Sequence, residues 1–167
     1  GAPSDGAKFR NLFDQVIREQ KKVSAIRVTN AKMEALFRDA GLTDKVFRIP
    51  LGVDCSEYRP SLTTARRAEL RDRFGIEPNA TVIGSFQKDG VGWGTGEQPK
   101  VEKGPDILVA TLALLARKID DLCVLLVGPA RGFVLERLRS AGVRVVHLGF
   151  QESSRLPSLY ELCDLYL

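Results

Sequence analysis

Apolar residues first recur along the chain at helical spacing. Phe9, Leu12, Phe13, Val16 and Ile17 fall at i, i+3, i+4, i+7 and i+8, which predicts an amphipathic helix over residues 8–20. Lys21 and Lys22 follow, where cations suit the negative end of the helix dipole. Residues 25–28 predict a short strand. Thr29 or Asn30 can cap the next helix, in which Met33, Leu36 and Phe37 share one face and which Gly41 closes. Residues 45–49 predict a second strand ended by Pro50. Strand, helix, strand is the parallel crossover unit. Residues 50–60 carry Pro50, Gly52 and Pro60 and no period, as a linker does.

Beyond the linker a basic helix is expected over residues 62–74. Arg66, Arg67, Arg71 and Arg73 read as its solvated face, and Gly75 ends it. Strands at 81–86, 122–127 and 143–148 then alternate with helices at 104–118, 131–141 and 156–163. Val134, Leu135 and Leu138 point inward from the second of these helices. This alternation predicts an α/β fold, a parallel sheet with helices on both faces. Residues 164–167 read as a strand entering a sheet core. Chain ends usually lie outside cores, so the chain is expected to be an internal slice of a larger protein.

Composition removes several classes. With 44% hydrophobic and 28% charged residues, neither disorder nor a disulfide-stapled miniprotein fits. The longest apolar run, residues 107–116, falls short of the roughly 18 residues of a membrane helix. Residues 1–7 are small and polar. The net charge of +4 fits a phosphate-bearing ligand, an acidic membrane surface or nucleic acid without choosing among them. Cys55, Cys123 and Cys163 form no CxxC pair, which disfavours zinc ribbons and redox dithiols and suits a reducing cytoplasm. Cys123 and Cys163 read as small buried hydrophobes. The single histidine, His147, sits in an apolar strand and reads as a core or edge residue, so a histidine-built metal site or triad is discounted.

In open parallel sheets ligands bind beyond the carboxyl ends of the strands. Those ends are Gly84-Ser85-Phe86-Gln87-Lys88, Gly128-Pro129-Ala130-Arg131 and Gly149-Phe150-Gln151. Two of them carry a cation. Lys103 stands just before Gly104-Pro105, and proline at a first helical position marks a helix N-terminus with free N–H groups. A lysine there suits a diphosphate; a surface lysine near a helix start is the plainer alternative. The loop 87–102 is long for a βα connection. Its glycines at 90, 92, 94 and 96 match neither a P-loop nor GxGxxG. Trp93, the only tryptophan, either stacks on a sugar or anchors the loop, and Lys88 and Lys100 flank it.

Taken in order, Arg27-Val-Thr-Asn30, Ile49-Pro-Leu-Gly-Val-Asp54, Ile83-Gly-Ser-Phe86, Lys103-Gly-Pro-Asp106, Leu126-Val-Gly-Pro129, His147-Leu-Gly149 and Leu159-Tyr-Glu-Leu-Cys-Asp-Leu-Tyr166 resemble a family-4-type retaining glycosyltransferase of the GT-B fold. The resemblance implies a Rossmann-like sheet. It implies that residues 1–53 are the tail of an N-terminal, acceptor-side domain and 54–167 the first part of a nucleotide-sugar domain. It implies transfer of a sugar from a nucleotide-diphosphate donor to a saccharide, lipid or other small acceptor, with no cofactor, metal or nucleic acid. Lys103 takes the family's phosphate-binding lysine position. Ser85 stands where the family usually has an arginine, and Lys88 is the substitute. Gly84, Ser85 and Gly128 face the donor, and Phe150 and Gln151 flank the base. The family's paired-glutamate segment would follow residue 167, so this chain alone is expected to be inactive. A cytoplasmic location is implied, with peripheral attachment to the inner face of a membrane left open. Two alternatives stand beside it: another GT-B enzyme, such as a nucleotide-sugar epimerase or glycogen-type synthase, and a non-catalytic nucleotide or RNA binding module using the arginine-rich helix.

Overall fold

The structure, a computed structural model, describes residues 5–167. The chain divides into two compact units, Gly1–Asp54 and Cys55–Leu167.

In the first unit, helix α1 (Asp5–Arg18) starts earlier than its apolar spacing suggested and gives way to a 3-10 turn, Gln20–Lys22, that holds both lysines. Strands β1 (Ile26–Val28) and β2 (Val46–Arg48) pair in parallel, joined by helix α2 (Ala31–Asp39). Asn30 is the cap: its Oδ1 accepts from the Met33 N–H at 2.9 Å, satisfying one of the helix's orphan donors. Val28, Phe37, Leu42 and Val46 are the buried centre of this unit, and the ring of Phe13 in α1 packs against Phe37, centroids 5.1 Å apart and planes tilted by 46°.

The second unit is built on four parallel strands in the order β5-β4-β3-β6, with β3 at Thr81–Phe86, β4 at Leu122–Val127, β5 at Arg144–His147 and β6 at Leu165–Tyr166. All six residues of β4 are buried, because both faces of a central parallel strand are covered. Val124 and Leu126 pack beneath α4 (Pro105–Ala116) and α5 (Gly132–Ser140) with Leu108, Leu112, Val134 and Leu138. Leu135 of α5 is only half-buried. Cys123, Leu125 and Val127 face the other way, against Ile76, Leu159 and Leu162, beneath α3 (Thr64–Arg73) and α6 (Leu156–Tyr160). The alternation of side chains along one strand thus feeds two cores.

Residues 164–167 hold the expected strand: β6 pairs in parallel with β3, with Leu165 and Tyr166 about half exposed. One expectation needs correction. The arginines of α3 are not simply a solvated face. Arg71 is buried at 5% exposure. Its guanidinium donates to the carbonyls of Leu162 (2.7 Å) and Ala80 (3.1 Å) and to Asp164 Oδ2 (2.9 Å). Arg67 donates to the Glu161 carbonyl and to Asp164 Oδ1, both at 2.7 Å. Composition counted four like charges; it could not show that two of them find acceptors at the far end of the chain. His147, by contrast, sits exposed on the edge strand β5.

Removing the Arg71 guanidinium takes the side-chain donor from the Ala80 carbonyl, the nearest donor from the Leu162 carbonyl and one of three donors from the Asp164 carboxylate. Arg71→Ala is expected to lower the unfolding free energy by about 3 kcal/mol in urea titrations, against less than about 1 for the exposed Arg66→Ala. Burial pushes the Asp164 carboxyl up, but the Val82 N–H and the two guanidiniums outweigh it and hold the pKa below the ordinary 3.8. The unfolded chain therefore binds this proton more readily. The stabilisation is complete above roughly pH 5 and is lost as pH falls through the depressed value. Asp164→Asn should flatten the acid limb of a stability-versus-pH curve; an unchanged limb would refute the assignment.

Candidate functional site

Because the strands of the second unit are all parallel, their carboxyl ends share one edge. Between the ends of β3 and β4, the turn after β5 and the start of α6 lies a cavity of about 210 Å³. Phe86, Gln87 and Lys88 form one wall, Gly128 and Pro129 the second, and Phe150 and Gln151 the third, with Leu156 and Tyr160 closing it. Gln151 is held by its side-chain amide, which donates to the Leu148 carbonyl at 2.6 Å. Phe150 is 73% exposed, an apolar ring standing at the rim. Burial, with Tyr166 beside it, pushes the Tyr160 phenol up to about 12.

Of the residues picked from sequence, Lys88, Gly128, Phe150 and Gln151 thus come together on this cavity. Gly84 and Ser85 lie below it, inside β3. A Cβ on Gly84 would collide with the Cys163 thiol, so its glycine serves close packing. Ser85 is fully buried; its carbonyl accepts from Arg131 at 2.7 Å and its Oγ from the same guanidinium at 3.2 Å. Lys103 ends the 3-10 turn Val101–Lys103 and is exposed just before α4, outside the cavity lining.

The loop after β3 is an ordered hairpin. Gly90 and Pro99 form an antiparallel bridge, Val91 N–H donates to the Gln98 carbonyl (2.8 Å), and Lys100 N–H to the Asp89 carbonyl (2.7 Å). Its far arm docks on the start of α5: the N–H groups of Gly132 and Phe133 donate to the carbonyls of Thr95 (2.8 Å) and Gly96 (3.0 Å). That consumes donors at the α5 N-terminus. The α4 N-terminus, behind Lys103, has no side-chain cap, although Asp106 in its first turn draws on the same positive end. Only some of the loop glycines are sterically required. A Cβ on Gly90 or Gly96 would strike the Ala130 backbone, and Gly96 also has φ +77°; Gly94 faces open space. At the tip Trp93 is 80% exposed, with the Lys88 ammonium 3.7 Å from its ring centroid.

Two groups that sequence did not single out lie under this hairpin. Arg131 and Asp89 are each 1% exposed and face each other at 3.0 Å, Nε to Oδ2, too poorly aligned for a hydrogen bond. Burial raises the Asp89 carboxyl and lowers the Arg131 guanidinium, each against the pull of its partner. A guanidinium stays charged in a protein, so Asp89 is its counterion. The only signal in the sequence was the cation at the end of the second strand.

No family model matches the sequence. Curated relatives are glycosyltransferases. The chain is 32% identical over 130 residues to a D-inositol 3-phosphate glycosyltransferase of Segniliparus rotundus, covering 72% of this chain and 26% of that protein. A protein of the same name from Nocardia farcinica is 30% identical over 162 residues, 90% of this chain and 33% of its own length. The chain therefore spans about a quarter to a third of these two relatives. Among solved structures, the Anabaena protein HepE, crystallised with UDP and glucose, superposes with a TM-score of 0.63 at 25% identity, over 86% of this chain and 37% of that one. This chain fits part of a GT-B glycosyltransferase. The GT-B fold accounts for the parallel sheet with helices on both faces and for a cavity at the strands' carboxyl edge. WaaG, a glycosyltransferase involved in lipopolysaccharide biosynthesis, shares the fold at 19% identity, with a TM-score of 0.60 over 84% of this chain and 36% of that one.

Gly96→Ala combines a left-handed backbone with a backbone collision and should destabilise the second unit by at least ~2 kcal/mol in thermal or urea melts. Gly94→Ala should stay within about 0.5 kcal/mol of the parent. Equal effects at both positions would show that the hairpin is not docked as described.

Proposed function

We propose that the cavity is the donor site of a family-4-type retaining glycosyltransferase and takes a nucleotide-diphosphate sugar. The observation that carries this is the cavity's placement, at the carboxyl edge of a parallel sheet with a lysine in its wall, in a chain related to glycosyltransferases. HepE, of the same fold, was crystallised with UDP. Leaving of a nucleoside diphosphate builds negative charge on its outer phosphate, and preoriented cations and helix N–H groups stabilise that charge as it develops. Lys88 and Lys103, with the α4 N-terminus, supply this. Gly128 lets the backbone approach the donor. Phe150 and Gln151 flank the base, one through its ring and the other through its amide. Gly84 and Ser85 act from beneath, by setting the height of the β3 end.

In this reading Gly1–Asp54 belongs to an acceptor-side domain and Cys55–Leu167 to the donor side. The acceptor is a saccharide, lipid or other small molecule, and the setting is cytoplasmic. No helix among the described residues is long and apolar enough to cross a membrane. The RNA-binding alternative loses ground on α3, where Arg67 and Arg71 are engaged within the unit.

Calorimetric titration of the chain with UDP tests the site. Lys88→Met and Lys103→Met are each expected to weaken binding about tenfold, the loss of one charge-assisted contact. Unchanged UDP affinity in both variants would overturn the proposal.

A further inference from the structure

The pair beneath the hairpin calls for an explanation beyond stability. Two charges taken out of water gain little over a well-packed apolar pair of the same volume. What such a pair does supply is a fixed geometry, and here the geometry converges on one residue. The Arg131 guanidinium reaches three carbonyls: Ser85 at 2.7 Å, Gln87 at 3.2 Å and Val127 at 3.2 Å. It thereby ties the end of β3 to the end of β4 and fixes the residue before Lys88. The Gln87 N–H adds a bond to the Val127 carbonyl at 3.1 Å. On the other side of Lys88, Asp89 faces the same guanidinium at 3.0 Å, and its carbonyl closes the hairpin through Lys100. Lys88 is thus one residue held between two anchored neighbours. With Asp89 turned into the interior at 1% exposure, the Lys88 side chain lies on the cavity side, its ammonium over Trp93.

We infer that Asp89 and Arg131 are positioning residues of the donor-phosphate site: the buried pair locks the backbone on both sides of Lys88 and so aims its ammonium at the diphosphate of the donor. Neither residue touches the ligand. The inference rests on the donor-site reading for its ligand, and on the hairpin geometry for its mechanism. It separates Lys88 from Lys103, whose exposed place before α4 has no comparable brace.

The test uses the whole chain with two readouts. The first is UDP affinity by calorimetry. The second needs no ligand: Trp93 is the only tryptophan in the sequence, so its emission and near-ultraviolet circular dichroism report the Lys88 contact directly. Asp89→Asn keeps the shape of the side chain and removes its charge. It should weaken UDP binding about tenfold, as Lys88→Met does, and change the Trp93 signal in the same sense. The double variant should bind no more weakly than either single one, because Asp89 acts only through Lys88. Additive losses, or Asp89→Asn with UDP affinity and Trp93 signal both unchanged, would overturn the inference. Far-ultraviolet circular dichroism checks folding. Where Asp89→Asn fails to fold, Asp89→Glu takes its place, retaining the charge but displacing it by one methylene. Loss of fold in both would reduce the pair to a structural brace and overturn the positioning role. Should the unmodified chain bind no UDP, the donor-site reading falls. The positioning claim is then decided by Trp93 alone: a matching change in Asp89→Asn and Lys88→Met upholds it, and an undisturbed signal sinks it.

Discussion

A guanidinium sealed from water must find acceptors for its N–H groups, and Arg131 finds most of them in backbone carbonyls at the ends of two neighbouring strands. Everything at the carboxyl edge follows from that requirement. The strand ends cannot fray while they serve as acceptors. The turn after β4 must approach the hairpin closely, which is why Gly128 has φ +119° and no room for a Cβ against the Gln87 carbonyl. Ala130, the one described non-glycine residue with positive φ, carries strain at the same turn.

Arg71 solves the same problem at the opposite side of the unit. It gathers the Ala80 and Leu162 carbonyls and the Asp164 carboxylate, so α3, the start of β3 and the approach to β6 are joined by one side chain. Glu161 works alongside it, accepting from the N–H groups of Ser61 and Leu62 at 2.8 Å and pinning the segment that leads into α3. Apart from the Arg71–Ala80 bond, these contacts join residues 91 to 100 positions apart. They tie the segment leading into α3, and α3 itself, to the approach to β6.

That distance also explains what was legible in the sequence. Strands β3 and β4 were bounded to the residue: β4 is apolar throughout and stops at Gly128, and β3, though it holds Gly84 and Ser85, lies between turn residues before Thr81 and the polar loop after Phe86. Helix α4 announced itself through Gly104-Pro105, and α2 through Asn30. The carboxyl-edge residues Lys88, Gly128, Phe150 and Gln151 could be named because topology alone sends those segments to one rim. What stayed hidden was long-range polar pairing. Nothing local distinguishes Arg71, which is buried, from Arg66, which is paired with Glu69 on the surface. Asp89 next to Lys88 looks like ordinary loop charge until the fold brings Arg131 beneath it. The hairpin was hidden for a related reason: its glycines are spaced to pass another backbone, and a spacing of that kind has meaning only once the other backbone is in place.

The same hairpin divides into parts with unlike freedom to vary. Gly90 and Gly96 are wedged against Ala130, while between them Trp93, touched by Lys88, and Gly94 project into solvent, and Gly92 meets no neighbour but is held by its φ of +74°. Its base is committed to the sheet, and its crown is not. Substitutions or insertions around Trp93 and Gly94 leave the strand ends and the buried charges undisturbed, so the crown can change in length and composition while the scaffold beneath stays the same.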